Sequence, residues 1–294
     1  MVLKYIVQDD KYHTVKEVIK SYYNVSDRLL TKLKKNKHIL LNNSFSNINS
    51  IIKLGDEIQI NLDFEEESSN IIPKQMALDI LFEDDSLIII NKSSNMAIHP
   101  SILHFENSLS NGLKYYFNSK NIKKKIRPVN RLDKDTSGIV VFAKNEYIQE
   151  SLIKQMKSHD FKKEYYAILE GFIENKKQKI IAPISRKQNS IIEREVSEKG
   201  DFAVTHLELI KNFEYNNTKL AFVKFILETG RTHQIRVHSK YINHPILGDS
   251  LYGNSSILIS RQALHAYKIN FIHPITKKNM ELIAPIPDDI KRIL

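Results

Sequence analysis

Arg127-Pro-Val-Asn-Arg-Leu-Asp-Lys-Asp-Thr-Ser-Gly138 runs directly into the apolar stretch Ile139-Val-Val-Phe-Ala143. The apolar half reads as a strand and the polar half as the turn that feeds it. Asp, Thr, Ser and Gly favour turns, because short polar side chains bond nearby backbone and Gly permits positive φ. Two acids, Asp133 and Asp135, are bracketed by Arg131 and Lys134, and the basic run Lys123-Lys124-Lys125 comes just before. A carboxylate held on a stiff turn at a strand edge, beside cations, is a place for chemistry. The same residues also suit an Asx turn whose aspartates only satisfy backbone N–H groups. Locally the two readings stand level, because short motifs often match by chance.

Composition narrows the field. The 294 residues carry a formal net charge of +10 and a sequence pI near 9.4, which points to a polyanionic partner. There is no cysteine, so disulfides, thiolate nucleophiles and Cys-ligated metals are excluded, and a reducing cytoplasm fits. No apolar run approaches the ~18 residues of a membrane helix, and Met1 to Asp10 lacks the continuous apolar core of a signal peptide. The expected protein is cytoplasmic, with no membrane association.

Residues 1–62 read as a small module. Val15, Val18, Ile19 and Tyr22 share one face of a helix. Ser26 caps a second helix, with Asp27 in its first turn and Leu29, Leu30 and Leu33 as its apolar side. Strands follow at Ile39–Leu41 and Gly55–Ile60. From Lys11 to Lys37 there are eight Lys or Arg against two acids, while residues 1–70 carry ten of each sign, so positive charge is concentrated on the helices. Arg28, Lys32, Lys34 and Lys35 are the expected phosphate contacts there; as a charge run they would otherwise be a solvated helix face. Residues 63–71, with Asp63, Glu65, Glu66 and Glu67, read as an exposed acidic linker whose charges keep off the path of the polyanion.

From residue 72 to 294 the pattern is of mixed strands and helices. Short strands fall at Ile80-Leu81 and Leu87–Ile90, and helix faces at Leu109, Leu113, Tyr116 and at Tyr147, Ile148, Leu152, Ile153, Met156. Leu220–Leu227 reads as a central strand and Gln234–His238 as another strand. His233 and His238 would then face opposite ways, and His99 stands alone, so no metal site is expected. Phosphate-loop, His-Glu-x-x-His and Gly-x-Ser-x-Gly motifs are absent.

Asn130-Arg-Leu-Asp-Lys-Asp-Thr-Ser-Gly138 resembles the His-Arg-Leu-Asp-x-x-Thr-Ser-Gly signature of the RluA-type pseudouridine synthases, with Asn130 in place of the usual His. Three further blocks resemble that family in the same order. They are Lys163-Glu-Tyr-Tyr-Ala167 with Gly171, Thr229-Gly-Arg-Thr-His-Gln-Ile-Arg-Val-His238 and Leu247-Gly-Asp-Ser-Leu-Tyr-Gly253. Lys92–Pro100 is similar to the family's Lys-Pro-x-Gly loop, with Ser93 and Asn95 where Pro and Gly are usual; Asn tolerates the left-handed conformation better than most residues. Residues 12–62 resemble the S-four-type RNA-binding module of ribosomal proteins.

The resemblance implies an α+β protein, with a largely antiparallel mixed sheet in the catalytic domain (72–294) after a small ααβ module. It implies that Asp133 is the catalytic aspartate, that Arg236 pairs with it, and that Tyr165 lies against the target base. Tyr166 would face the other side of the same strand. Arg131 would contact RNA or fill the space the extracted base leaves, with Lys124 and Lys125 as further RNA contacts. Isomerising uridine needs no redox or phosphoryl step, so neither cofactor nor metal is expected. The implied substrate is a uridine of large-subunit ribosomal RNA, with transfer RNA as the alternative, and the implied state is a monomer. The rival class is a non-catalytic RNA-binding or ribosome-assembly protein that has kept the fold.

Overall fold

The computed structural model describes residues 1–66, 68, 70–100 and 105–294. Glu67 and Ser69 of the expected linker lie outside the described residues. The N-terminal module begins with β1 (Val2–Ile6), which the sequence reading did not anticipate. α1 (Val15–Glu17) continues into a π-helical turn, Val18–Tyr22, and α2 (Asp27–Lys35) follows. β2 (Ile39–Leu41), β3 (Ser44–Phe45) and β4 (Glu57–Asn61) complete an antiparallel sheet in the order β1-β4-β2-β3. The Thr14 and Ser26 hydroxyls accept from the backbone N–H groups of Glu17 and Leu29, which starts both helices. Val15, Val18, Ile19, Leu29, Leu30 and Leu33 are all buried, as their spacing predicts, but Tyr22, expected on the same face as the first three, is exposed and packs edge-on against Tyr5 and Tyr23.

The larger body is built on one nine-stranded sheet. Its elements run β5 (Ile80–Glu83), β6 (Leu87–Lys92), α3 (Leu109–Ser119), β7 (Ser137–Ala143), α4 (Glu146–Lys157), β8 (Lys162–Glu170) and β9 (Lys177–Ile181). A short hairpin, β10 (Ile184–Arg186) with β11 (Arg194–Val196), precedes the long pair β12 (Val204–Tyr215) and β13 (Thr218–Leu227). α5 (Gln234–Tyr241), β14 (Leu264–Ile272), β15 (Asn279–Ile283) and α6 (Asp288–Lys291) end the chain. Strand order is β5-β6-β7-β14-β8-β13-β12-β9, with β15 also on β14. Only β7 and β14 run parallel, so the sheet is mixed and mostly antiparallel, as expected.

Both faces of the sheet are covered. On β6 and β7, Ile88, Ile90, Val140 and Phe142 share a buried cluster with Leu113 and Phe117 of α3. Their neighbours Leu87, Ile89, Ile139 and Val141 join Ile148 and Leu152 of α4 and the apolar core of the N-terminal module. This two-sided burial explains why the strand residues are continuously apolar rather than alternating.

The described residues at 63–66 do not form the exposed hinge the sequence suggests. Phe64 is buried, stacked on His38 with ring centroids 4.5 Å apart, and the Lys32 ammonium lies 4.4 Å from its ring centre. Glu66 accepts from Lys32 at 2.6 Å and from Arg127 at 2.8 Å. Burial alone would raise the Glu66 pKa, but these two cations outweigh it and hold it below the usual carboxylate range. Asp63 pairs with Lys124 and Glu65 with Lys123 at 3.1 Å. The acids therefore fall on the basic residues rather than away from them, and they sew the module to the larger body. α2 adds a bond from Ser26 to Glu150 of α4 at 2.7 Å.

Gln234–His238 is helical, not the strand its alternating Ile235 and Val237 suggest. Gln234 and His238 sit at i and i+4 on one face of α5, and both bond the Thr205 hydroxyl of β12, at 2.9 and 2.8 Å. The Gln234 amide also donates to the Val204 carbonyl, and His238 Nε2 donates to that of Ala182. These polar contacts fix a helix against the edge of the sheet.

Gly138 lets β7 and β14 approach. It stands at φ +117°, and a Cβ there would overlap the Ala266 carbonyl. Gly138→Ala is expected to cost about 3 kcal/mol or more, from backbone strain and overpacking together. A thermal melt measures it; an unchanged Tm would contradict this account of the strand pairing.

Candidate active site

The signature turn enters β7 through a ladder of bonds. Asn130 donates from Nδ2 to the Ile139 carbonyl at 3.0 Å and accepts from Val141 N–H at 2.8 Å. Its amide thus acts as one more rung on the strand. The Thr136 N–H donates to the Asp133 carbonyl at 3.1 Å and closes the turn. Asp133 is left with its carboxylate partly exposed, at 22 % of its side-chain surface.

α5 brings Arg236 to that carboxylate. Arg236 Nη1 donates to Asp133 Oδ2 at 3.2 Å. The other side of the guanidinium is bound by Asp249, from Nε at 2.7 Å and from Nη2 at 2.8 Å. The Asp249 side chain is fully buried, and it also accepts from the N–H groups of Leu251 and Tyr252. Burial would lower the Arg236 pKa, but Asp249 and then Asp133 raise it, so the guanidinium is permanently charged. Its carbon lies 4.9 Å from the centre of the Tyr252 ring.

His233 closes the other side. It caps α5 in the left-handed region, at φ 59°. Its Nδ1 meets the Tyr252 hydroxyl at 2.8 Å, and that hydroxyl accepts from the Arg194 N–H at 2.8 Å. If the hydroxyl donates its proton to Nδ1, the Nε2–H points at Asp133 Oδ2, 3.8 Å away. Burial lowers the His233 pKa, and Arg236 and Arg194 push the same way against Asp133, so the ring is neutral.

Tyr165 and Tyr166 part onto opposite faces of β8, as alternation predicts. Tyr165 is buried on the side that faces Asp133, and burial, followed by the charge of Asp133, raises its phenol pKa. Tyr166 lies on Tyr267 with ring centroids 3.6 Å apart and packs on Phe222. The structure thus gathers Asp133, Arg236 and Tyr165 at one place. Sequence reasoning gave no role to Asp249, Tyr252 or His233, although all three lie in the quoted blocks. In sequence Asp249 reads as an ordinary turn residue, since its carboxylate does bond the Leu251 and Tyr252 N–H groups, and only the fold reveals its second role under Arg236.

The expected RNA contacts divide. Arg131, Lys34, Lys35 and Lys125 are exposed and form no ion pair among the described residues. Arg28, Lys32 and Lys124 face Glu146, Glu66 and Asp63, so their charge is already partly spent. Asn95 takes the left-handed conformation expected of it, at φ 56°. His99 lies 3.2 Å from the Ser110 hydroxyl. Among the described residues no group of three His, Cys, Asp or Glu could hold a metal ion, and no helix is long and apolar enough to cross a membrane.

The family model described as RNA pseudouridylate synthase matches residues 86–241. The chain belongs to that family. The match spans β6 to β13, the signature turn and α5 with Arg236, and the RluA branch is the one the chain falls in. The chain is 40% identical to the uncharacterized RNA pseudouridine synthase YhcT of Bacillus subtilis (strain 168), over 94% of this chain and 90% of that protein. It is 35% identical to ribosomal large subunit pseudouridine synthase D of Escherichia coli (strain K12), over 82% of this chain and 76% of that one. Among solved structures, human RNA pseudouridylate synthase domain containing 1 superposes with a TM-score of 0.60 at 25% identity, covering 71% of this chain and 83% of that one.

Asp249→Asn tests the synthase site through a residue that does not touch Asp133. An amide offers one acceptor oxygen, so the two-point grip on Arg236 is lost. The single-turnover rate on RNA is expected to fall on the order of 10²-fold through misplacement alone, while RNA affinity by filter binding stays near wild type. A rate equal to wild type would show that Arg236 needs no anchor.

Proposed function

We propose that this chain isomerises uridine to pseudouridine in large-subunit ribosomal RNA, with Asp133 as the catalytic residue. The observation that carries this reading is the Asp133 carboxylate on a rigid turn, 3.2 Å from the Arg236 guanidinium and on the side of the sheet where Tyr165 is buried. The substrate is supported by the relatives named as ribosomal large subunit pseudouridine synthase D in Escherichia coli and Neisseria meningitidis.

The reaction breaks the bond from C1′ to N1, turns the base, forms a bond from C1′ to C5, and loses the C5 proton. Every atom of the uridine is kept, so no electron acceptor enters. The nucleotide leaves its stack to reach the buried side chains. Asp133 acts on it as an anion, by attack or by removing a sugar proton. Arg236 keeps that carboxylate ionised in a closing pocket, because a nearby cation favours the charged form. Tyr165 is a neutral phenol at rest, since burial and Asp133 both raise its pKa. As a neutral phenol it acts as a relay, its oxygen accepting the C5 proton while its own proton passes on to solvent. Arg131, exposed at the lip of the turn, meets RNA or fills the space left in the helix.

In this reading the N-terminal module, S-four-like in its order of helices and strands, is a second RNA contact through Lys34 and Lys35. The protein works in the cytoplasm as a monomer without cofactor.

Asp133→Asn keeps shape and removes the charge. With large-subunit rRNA transcripts, pseudouridine formation is expected to fall below detection while the thermal melt and RNA affinity stay near wild type. Asp135→Asn, on the same turn, should retain activity. Tyr165→Phe should bind RNA and form almost no product, with Tyr166→Phe mild beside it. A folded, active Asp133→Asn enzyme would remove the catalytic assignment.

A further inference from the structure

The carbonyls of three successive residues on the catalytic turn each have a donor. Asp133 O accepts from the Thr136 N–H at 3.1 Å. Lys134 O accepts from Lys92 Nζ at 2.9 Å and from the Met96 N–H at 3.1 Å. Asp135 O accepts from Arg261 Nη1 at 3.1 Å, and Arg261 is itself gripped by Asp289 of α6, at 2.6 and 2.9 Å. Two of these donors are cations drawn from distant parts of the chain.

Lys92 is the unusual one. It ends β6 and is only 1 % exposed, among the most buried large side chains of the protein. It forms no ion pair among the described residues. Its ammonium instead gives three bonds to backbone carbonyls, to Ser93 at 2.8 Å, to Met96 at 2.9 Å and to Lys134 at 2.9 Å. Three N–H donors meet three acceptors, so the site is saturated by the charged form and by no other common side chain. Burying a cation without a carboxylate costs stability, and a Met would fill the same space. The cost must serve something other than packing.

We propose that Lys92 is a positioning residue for Asp133. It clamps the carbonyl next to the catalytic side chain onto the loop of residues 92–96, and so fixes the direction in which the carboxylate points. This role rests on the reading of Asp133 as the catalytic group. The charged groups that face Lys92 are Asp135 and Asp133, which favour its charge, and Arg261, which opposes it. Burial is the largest influence and brings the Lys92 pKa down to about 7. A neutral amine has two N–H groups for three carbonyls, so the clamp loosens as pH rises through that value.

The full-length protein and Lys92→Met are compared on a large-subunit rRNA transcript. Lys92→Met is expected to bind RNA within about twofold of wild type and to lose on the order of 10²-fold in single-turnover rate, the cost of a misplaced catalytic group. The wild-type rate at saturating RNA should fall between roughly pH 6 and roughly pH 9 as the ammonium deprotonates, and the Lys92→Met rate should lack that fall. A folded Lys92→Met enzyme with wild-type rate overturns the proposal. Should that variant fail to fold, the wild-type profile decides alone, and a flat rate across that range overturns it. Wild-type protein that forms no pseudouridine would sink the uridine reading itself, a result distinct from an active wild type matched by Lys92→Met.

Discussion

One guanidinium holds two carboxylates, and the site depends on it. Asp249 takes Arg236 by two bonds in a place closed to water, and the remaining nitrogen of Arg236 reaches Asp133. The inner carboxylate is fully buried and the outer one is partly open to solvent. Leaving one member of such a buried pair alone costs roughly 3–5 kcal/mol, so Arg236 has no alternative position to visit. Its direction toward Asp133 is therefore settled before RNA arrives, which is the preorganisation that electrostatic catalysis requires. Asp249 is gripped in turn by the N–H groups of residues 251 and 252, so the block at 247–253 exists to hold a carboxylate under the arginine.

The fold serves that alignment. Asp133 arrives from the turn into β7, Tyr165 from β8 and Arg236 from α5 beyond β13. β7 and β8 flank the same strand, β14, and the glycine at 138 lets the β7–β14 pair close. The N-terminal module is not a loosely tethered arm. Glu66 sits between Lys32 of α2 and Arg127 at the start of the signature stretch, so a single carboxylate joins the module to the segment that carries Asp133. The module and the catalytic turn are thus mechanically linked.

Much of this was legible beforehand, because the relevant signals are local. The turn composition of residues 127–138 and the apolar strand after it announce a carboxylate on an edge. The alternation of Tyr165 and Tyr166 assigns each its face. The apolar spacing of the first two helices and of α4 places most of their buried residues, although Tyr22 and Ile153, counted on those faces, are exposed. What stayed hidden depends on distant partners. Ile235 and Val237 alternate like strand residues, and only the contacts of Gln234 and His238 with β12 make the segment a helix. The acids at 63–66 look like a solvated linker until Lys32, Lys123, Lys124 and Arg127 are brought against them. Lys92 stands out in sequence only as the start of a family-like loop, and its burial stayed hidden because the carbonyls it satisfies belong to residues 93, 96 and 134.

The central claim is that the glycosidic bond migrates to C5 on RNA bound at Asp133. Large-subunit rRNA transcribed with uridine tritiated at C5 tests it most directly. The account predicts release of tritium to water in step with the appearance of pseudouridine, with the RNA chain uncut and no free base formed. Tritium retained at C5 under single-turnover conditions, or free uracil in place of pseudouridine, would contradict it.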